Sequence, residues 1–160
     1  MKNSLLLIAL ALLSHSIFAQ RMPELVDSRA VIEAGIEHHD SENYDAALIE
    51  YYKVPKYDTN YSWALYEAAM TQFAMDDFEK SIKTSKEVLK VDPNESNAYV
   101  NLGNCYDELK NYEEAEKWYD LGIEKFPFNH MLYVNKAIMF EKREENKKAF
   151  ETYQKLIDFN

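Results

Sequence analysis

The 160 residues include one cysteine, three glycines, four prolines and two tryptophans, and each scarcity removes a class of protein. A single thiol, Cys105, excludes an intramolecular disulfide, and no Cys or His cluster has the spacing of a metal site. Glycine is too sparse for a phosphate-cradling loop, and no nucleophile elbow is present. Cations are short as well: 18 Lys and Arg stand against 28 Asp and Glu, a formal net charge of −10. That balance argues against binding the phosphate backbone of nucleic acids or an anionic lipid surface, both of which take clustered Lys and Arg. The unbroken apolar run Leu5 to Leu13 is too short to cross a bilayer as a helix, which takes about 20 residues.

That run has Lys2 before it and small and polar residues after it, ending at Ala19. Residues 1–19 thus have the pattern of a secretory signal peptide, with cleavage expected after Ala19 and Gln20 as the new N-terminus. Its removal takes one cation, Lys2, and moves the charge from −10 to −11. The product is expected to be exported and soluble, with no membrane anchor after cleavage. The lack of disulfides makes a bacterial periplasm the expected setting, periplasmic or secreted. Residues 20–27 read as a short lead-in, with Pro23 suited to a first helical turn.

Apolar residues are plentiful, at 47%, and they recur in register. Phe78 and Tyr112, and likewise Pro93 and Pro127, are separated by a period of 34 residues. The same offset divides the chain into units at 28–61, 62–95, 96–129 and 130–160. Gly35, Ala69, Gly103 and Ala137 share one position, and Ala47, Ser81, Ala115 and Ala149 share another. Small residues there allow two helices to cross closely. Aromatics fill the remaining space: Tyr44, Phe78 and Tyr112 at the start of the second helix in the first three units, and Tyr51, Tyr119 and Tyr153 further along. First helices are expected near 24–40, 61–75, 95–109 and 129–143, and second helices near 44–57, 78–91, 112–125 and 146–158. Asp76-Asp77, Lys110-Asn111 and Glu144-Glu145 are turn signals within pairs.

On these residues the chain resembles the tetratricopeptide repeat family, from Ser28 to Asn160. The resemblance implies an all-α fold, a right-handed α-solenoid of four helix-turn-helix repeats, and a non-catalytic protein-protein interaction module, a scaffold or adaptor. Several positions depart from the pattern. Pro55 should break the end of its helix. Gln72 and Ser85 replace aromatics in the second unit, and Asn146 does so in the fourth.

In this family the second, fifth, sixth and ninth residues of each unit tend to face a concave surface. Carried over, these positions make a groove for an extended peptide or protein surface from Trp63, Tyr66, Met70, Asn97, Val100, Asn101, Asn104, Met131, Val134, Asn135 and Ile138. The first unit adds Arg29, Ile32, Glu33 and Ile36. Arg29 is the single cation among these positions and the second unit adds Glu67, so the Lys and Arg cluster with which some relatives clamp a chaperone carboxylate is missing. The asparagines can donate to and accept from a peptide backbone, and the apolar members can receive side chains. Beyond the fourth unit, Tyr153 and Ile157 are expected on an open C-terminal face, available to a partner helix or a second copy.

No catalytic site is expected. His38 and His39 are adjacent, so their side chains diverge by about 100° and cannot chelate one ion together. Paired carboxylates such as Glu113-Glu114 read as solvated charge. Cys105, in mid-helix, reads as core packing. No cofactor is implied. Two other readings stand beside the interaction module: the N-terminal part of a longer enzyme or sensor protein, and a self-assembling structural component.

Overall fold

A computed structural model describes residues 26–157. The signal-peptide stretch, Pro23 and Asp158 to Asn160 lie outside the described residues. Among the described residues eight helices follow in order: α1 Ser28–Asp40, α2 Tyr44–Tyr51, α3 Tyr61–Ala74, α4 Phe78–Val91, α5 Ser96–Glu108, α6 Tyr112–Lys125, α7 His130–Lys142 and α8 Asn146–Ile157. Successive pairs form four helical hairpins, and the chain folds as an all-α tetratricopeptide-type solenoid.

Each hairpin turns through one residue in the left-handed region, and none of the four is glycine. Glu42, Asp76, Lys110 and Glu144 have φ of 58–60°, spaced at the repeat period. The following N–H donates to the carbonyl five residues back: Asn43 to His38 at 2.8 Å, Asp77 to Gln72 at 2.9 Å, Asn111 to Tyr106 at 2.8 Å and Glu145 to Phe140 at 2.9 Å. This bond satisfies a helix-end carbonyl and reverses the chain within three residues.

The second helix of the first repeat ends at Tyr51, six residues before the boundary expected at 57. Pro55 supplies the reason. Its ring would clash with the carbonyl four residues back, which is that of Tyr51, and it has no N–H to continue the ladder. The chain instead tightens, with Lys53 N–H donating to Glu50 at 3.0 Å and Val54 N–H to Tyr51 at 3.2 Å.

Small and large residues pair across the first and third hairpins. Tyr51 lies on Gly35 and Tyr119 on Gly103, and both tyrosines are buried. The second repeat has Ala69 and Ser85 at these places. Where its tyrosine would be, Asn101 reaches in from α5 and donates from Nδ2 to the Oγ atoms of Ser81 and Ser85, each at 2.8 Å. Cys105 Sγ donates to Ser81 Oγ at 3.3 Å, and Ser81 Oγ donates to the Ala69 carbonyl at 2.7 Å. Polar hydrogen bonding thus replaces an aromatic ring at this joint.

Neighbouring first helices bring their backbones close along the array, α1 to α3, α3 to α5 and α5 to α7, whereas no two second helices among the described residues approach as closely. The first helices therefore line the short, inner side of the curve and the second helices the outer side. Asn60 Nδ2 donates to Ser28 Oγ at 2.9 Å, and Asn129 Nδ2 to Ser96 Oγ at 3.0 Å, so two inter-repeat joints share one polar tie.

Candidate protein-binding groove

The inner side carries a cavity of about 170 Å³ built by three first helices that are not consecutive in sequence. Tyr66 and Met70 come from α3, Asn97, Val100, Asn101 and Asn104 from α5, and Met131 and Asn135 from α7. A second hollow of about 200 Å³ adjoins it, lined by Phe73, Asn104, Asp107, Glu108, Tyr119, Asn135, Ile138 and Lys142. Asn104 and Asn135 belong to both. The repeat period explains the convergence, because positions 34 residues apart stack side by side when the first helices pack together.

Trp63 and Val134 line neither hollow. Trp63 packs against the core shared by the first and second repeats and donates from Nε1 to Glu67 Oε1 at 2.9 Å. Glu67 is half-buried, and burial holds its pKa above the usual carboxylate value despite that hydrogen bond. Tyr66 is half-buried on Leu65, Val88 and Ala98, and burial pushes its hydroxyl up to about 12.

The expected row of four ligand-binding amides is corrected at Asn101, which is 2% exposed. Its Nδ2 is occupied by Ser81 and Ser85, so it serves the core. The signal for this was the serine at position 85, where the pattern has an aromatic. Asn104 Oδ1 accepts from Tyr119 Oη at 2.7 Å, and Asn135 Nδ2 donates to the Met131 carbonyl at 2.8 Å. Each keeps its other amide atom for hydrogen bonding. Asn97 is exposed at the start of α5.

The first helices bear seven carboxylates, at residues 33, 37, 40, 67, 107, 108 and 141, against three cations, at 29, 136 and 142. Arg29 pairs with Glu33, and Lys136 turns outward to Glu116 and Asp120 of α6. Lys142 bridges Asp107 at 2.8 Å and Glu108 at 3.0 Å. The inner side is therefore acidic.

A larger hollow, about 570 Å³, lies between α4 and α6 on the outer side, against Leu89, Tyr99, Trp118, Leu121, Glu124 and Lys125. The family positions used to place the groove do not reach it. It is the gap left between two outer helices whose backbones stand apart, and it lacks the spare amide groups of the inner side. Size alone does not make it the better site.

On the C-terminal repeat, Ile157 is 63% exposed and Phe150 is 68% exposed. Tyr153, placed on that face from the sequence, turns back on its own hairpin, with Oη 3.5 Å from Glu141 Oε2. Cys105 is fully buried, and burial pushes its thiol up to about 11. His39 shares a 2.7 Å hydrogen bond with Thr71 Oγ1 across the first joint. No group of three or more metal-ligating side chains occurs among the described residues.

Two family models described as tetratricopeptide repeat match residues 64–95 and 96–129. This is a tetratricopeptide repeat protein. Solved structures agree on the fold: a crystal structure of MamA superposes with a TM-score of 0.70 at 19% identity, over 82% of this chain and 77% of that one. The Arabidopsis OM64 TPR domain superposes at 0.64 with 16% identity, over 72% of this chain and 95% of the domain. Cell division cycle protein 27 homolog A of Arabidopsis thaliana is 28% identical over 93 residues, which are 58% of this chain. The chain spans 13% of the length of that relative. A tetratricopeptide repeat array is a protein-protein interaction module, and this chain has that architecture.

Proposed function

We propose that the inner face holds an extended segment of a partner protein, and that the chain acts as an exported adaptor or scaffold without catalysis. The observation that carries this is the convergence of α3, α5 and α7 on one cavity with apolar walls and unused amide groups. Extended peptides present such a pattern, with backbone groups to be bonded and side chains to be received. A photo-crosslinking side chain at Asn97 or Met131, both exposed, is expected to capture a discrete partner in the source cell. The same probe at Lys147, on the outer helix α8, is expected to capture none. Equal capture at both places would overturn the inner-face reading.

Export rests on the pattern of residues 1–19. Sequencing the protein from the extracytoplasmic fraction is expected to begin at Gln20, and a protein beginning at Met1 in the cytoplasm would refute it.

Phe150 and Ile157 favour a second reading, association of two copies through the C-terminal face. They lie seven residues apart on one face of α8. Phe150→Glu should then abolish any concentration-dependent sedimentation, and a wild type monomeric at all concentrations would remove this reading.

A further inference from the structure

We infer that the segment bound on the inner face carries a Lys or Arg side chain close to a large apolar one. The apolar side chain enters the cavity at Tyr66, Val100 and Met131, and the cation enters the adjoining hollow at Asp107 and Glu108. This rests on the inner face being the peptide-binding surface and specifies what it selects.

The two hollows share Asn104 and Asn135, so one extended strand, advancing about 3.3 Å per residue, passes from one to the other. Asn104 has Nδ2 available as a donor, because its Oδ1 is taken by Tyr119. Asn135 has Oδ1 available as an acceptor, because its Nδ2 is taken by the Met131 carbonyl. Together they match the carbonyl and N–H of an extended backbone.

The chemistry changes from one hollow to the next. The walls at Tyr66, Val100 and Met131 suit a hydrocarbon side chain. Asp107, in the second hollow, is only 7% exposed. One of its oxygens accepts from Lys142 Nζ at 2.8 Å, and the other has no hydrogen-bond partner. A buried carboxylate oxygen left without a donor is costly, and a donor that reaches it relieves the cost. Glu108 stands at the mouth, and Lys142 is shared between the two carboxylates. Two negative charges and one positive leave the hollow short of a cation. Lys142 is half-exposed and can shift to admit one. With the first helices acidic as a whole, a basic ligand is drawn in and an acidic one repelled.

The test is to pan displayed random decapeptides on the full chain and measure affinities of the enriched sequences at low and high salt. Enriched peptides are expected to carry Lys or Arg within two residues of Leu, Met, Phe or Tyr, and to weaken as salt rises. Glu108→Gln should weaken them about two- to fivefold, and Lys142→Gln, which removes the competing internal cation, should tighten them. Because Asp107→Asn risks the fold, the half-exposed Glu108 and Lys142 carry the decision. Neutral or acidic peptides that are lost on Met131→Ser, or basic ones weakened by Lys142→Gln, would overturn the basic-ligand inference and leave the groove intact. Failure to enrich any peptide, or peptides indifferent to both Met131→Ser and Asn97→Ala, would overturn the groove reading and this inference with it.

Discussion

The ring of Tyr119 lies directly on Gly103, with its Cζ 2.5 Å from the place a Cβ on that glycine would occupy. In an exposed helix, Gly→Ala gains about 1 kcal/mol of propensity. Here the added methyl must displace a buried ring, and overpacking of this kind costs about 1–3 kcal/mol. Gly103→Ala is therefore expected to lower the thermal midpoint, whereas the double variant Gly103→Ala, Tyr119→Phe should not restore it, since the ring and not the hydroxyl makes the clash. A melt of Gly103→Ala at or above wild type would show that the ring yields without cost.

Asn101 ties α5 to the serines of α4. Asn101→Ala removes the donor to both Ser81 and Ser85 and leaves a void, so a loss of about 2–3 kcal/mol is expected in urea unfolding. A loss under about 0.5 kcal/mol, the range of an ordinary surface change, would return the residue to the groove.

The four left-handed turn residues carry a penalty that glycine avoids. Lys110→Gly should stabilise by about 1 kcal/mol, while Lys83→Gly, at an exposed position inside α4, should destabilise by about the same. Paired thermal melts compare the two, and equal losses would mean that the turn holds no strain.

Glu67 is raised above its ordinary pKa chiefly by burial. Its folded form keeps a proton that the unfolded chain has already released, so the stability of the neutral form is present below about 4.5 and is lost as pH rises through the folded value. Glu67→Gln keeps an acceptor for Trp63 Nε1 and carries no charge. The variant should be more stable than wild type at pH 7, with the difference vanishing near pH 4. A difference that does not change with pH would point to a cause other than ionisation.

Much of the array was legible because a repeat imposes the same steric demand every 34 residues. Seven of the eight helices lie within a few residues of their expected bounds; α1 begins at Ser28 and not near 24, and α2 alone stops well short, at the place Pro55 dictates. The family's inner-face positions, carried over on that register, include Tyr66, Val100 and Asn135 of the first hollow, but they miss Phe73, Asp107, Glu108, Tyr119 and Lys142 of the second. Position within a repeat does not report where a side chain finds its hydrogen bond, however. Asn101 and Asn97 occupy the same helix and the same expected row, yet one is buried against serines and the other is exposed.

By itself the sequence determined the helical hairpins, their number and their stacking order, because these follow from local periodicity, small residues at crossings and turn chemistry. Tertiary structure decided which groups remain open to a partner. Asn101 closes on Ser85 because the second repeat has no tyrosine there, Tyr153 turns back on Glu141 and yields its outward place to Phe150, and Lys142 crosses from α7 to Asp107 and Glu108. Each of those outcomes depends on a residue about 12 to 35 places away, a separation that short-range pattern does not encode and that only packed helices bring within hydrogen-bond reach.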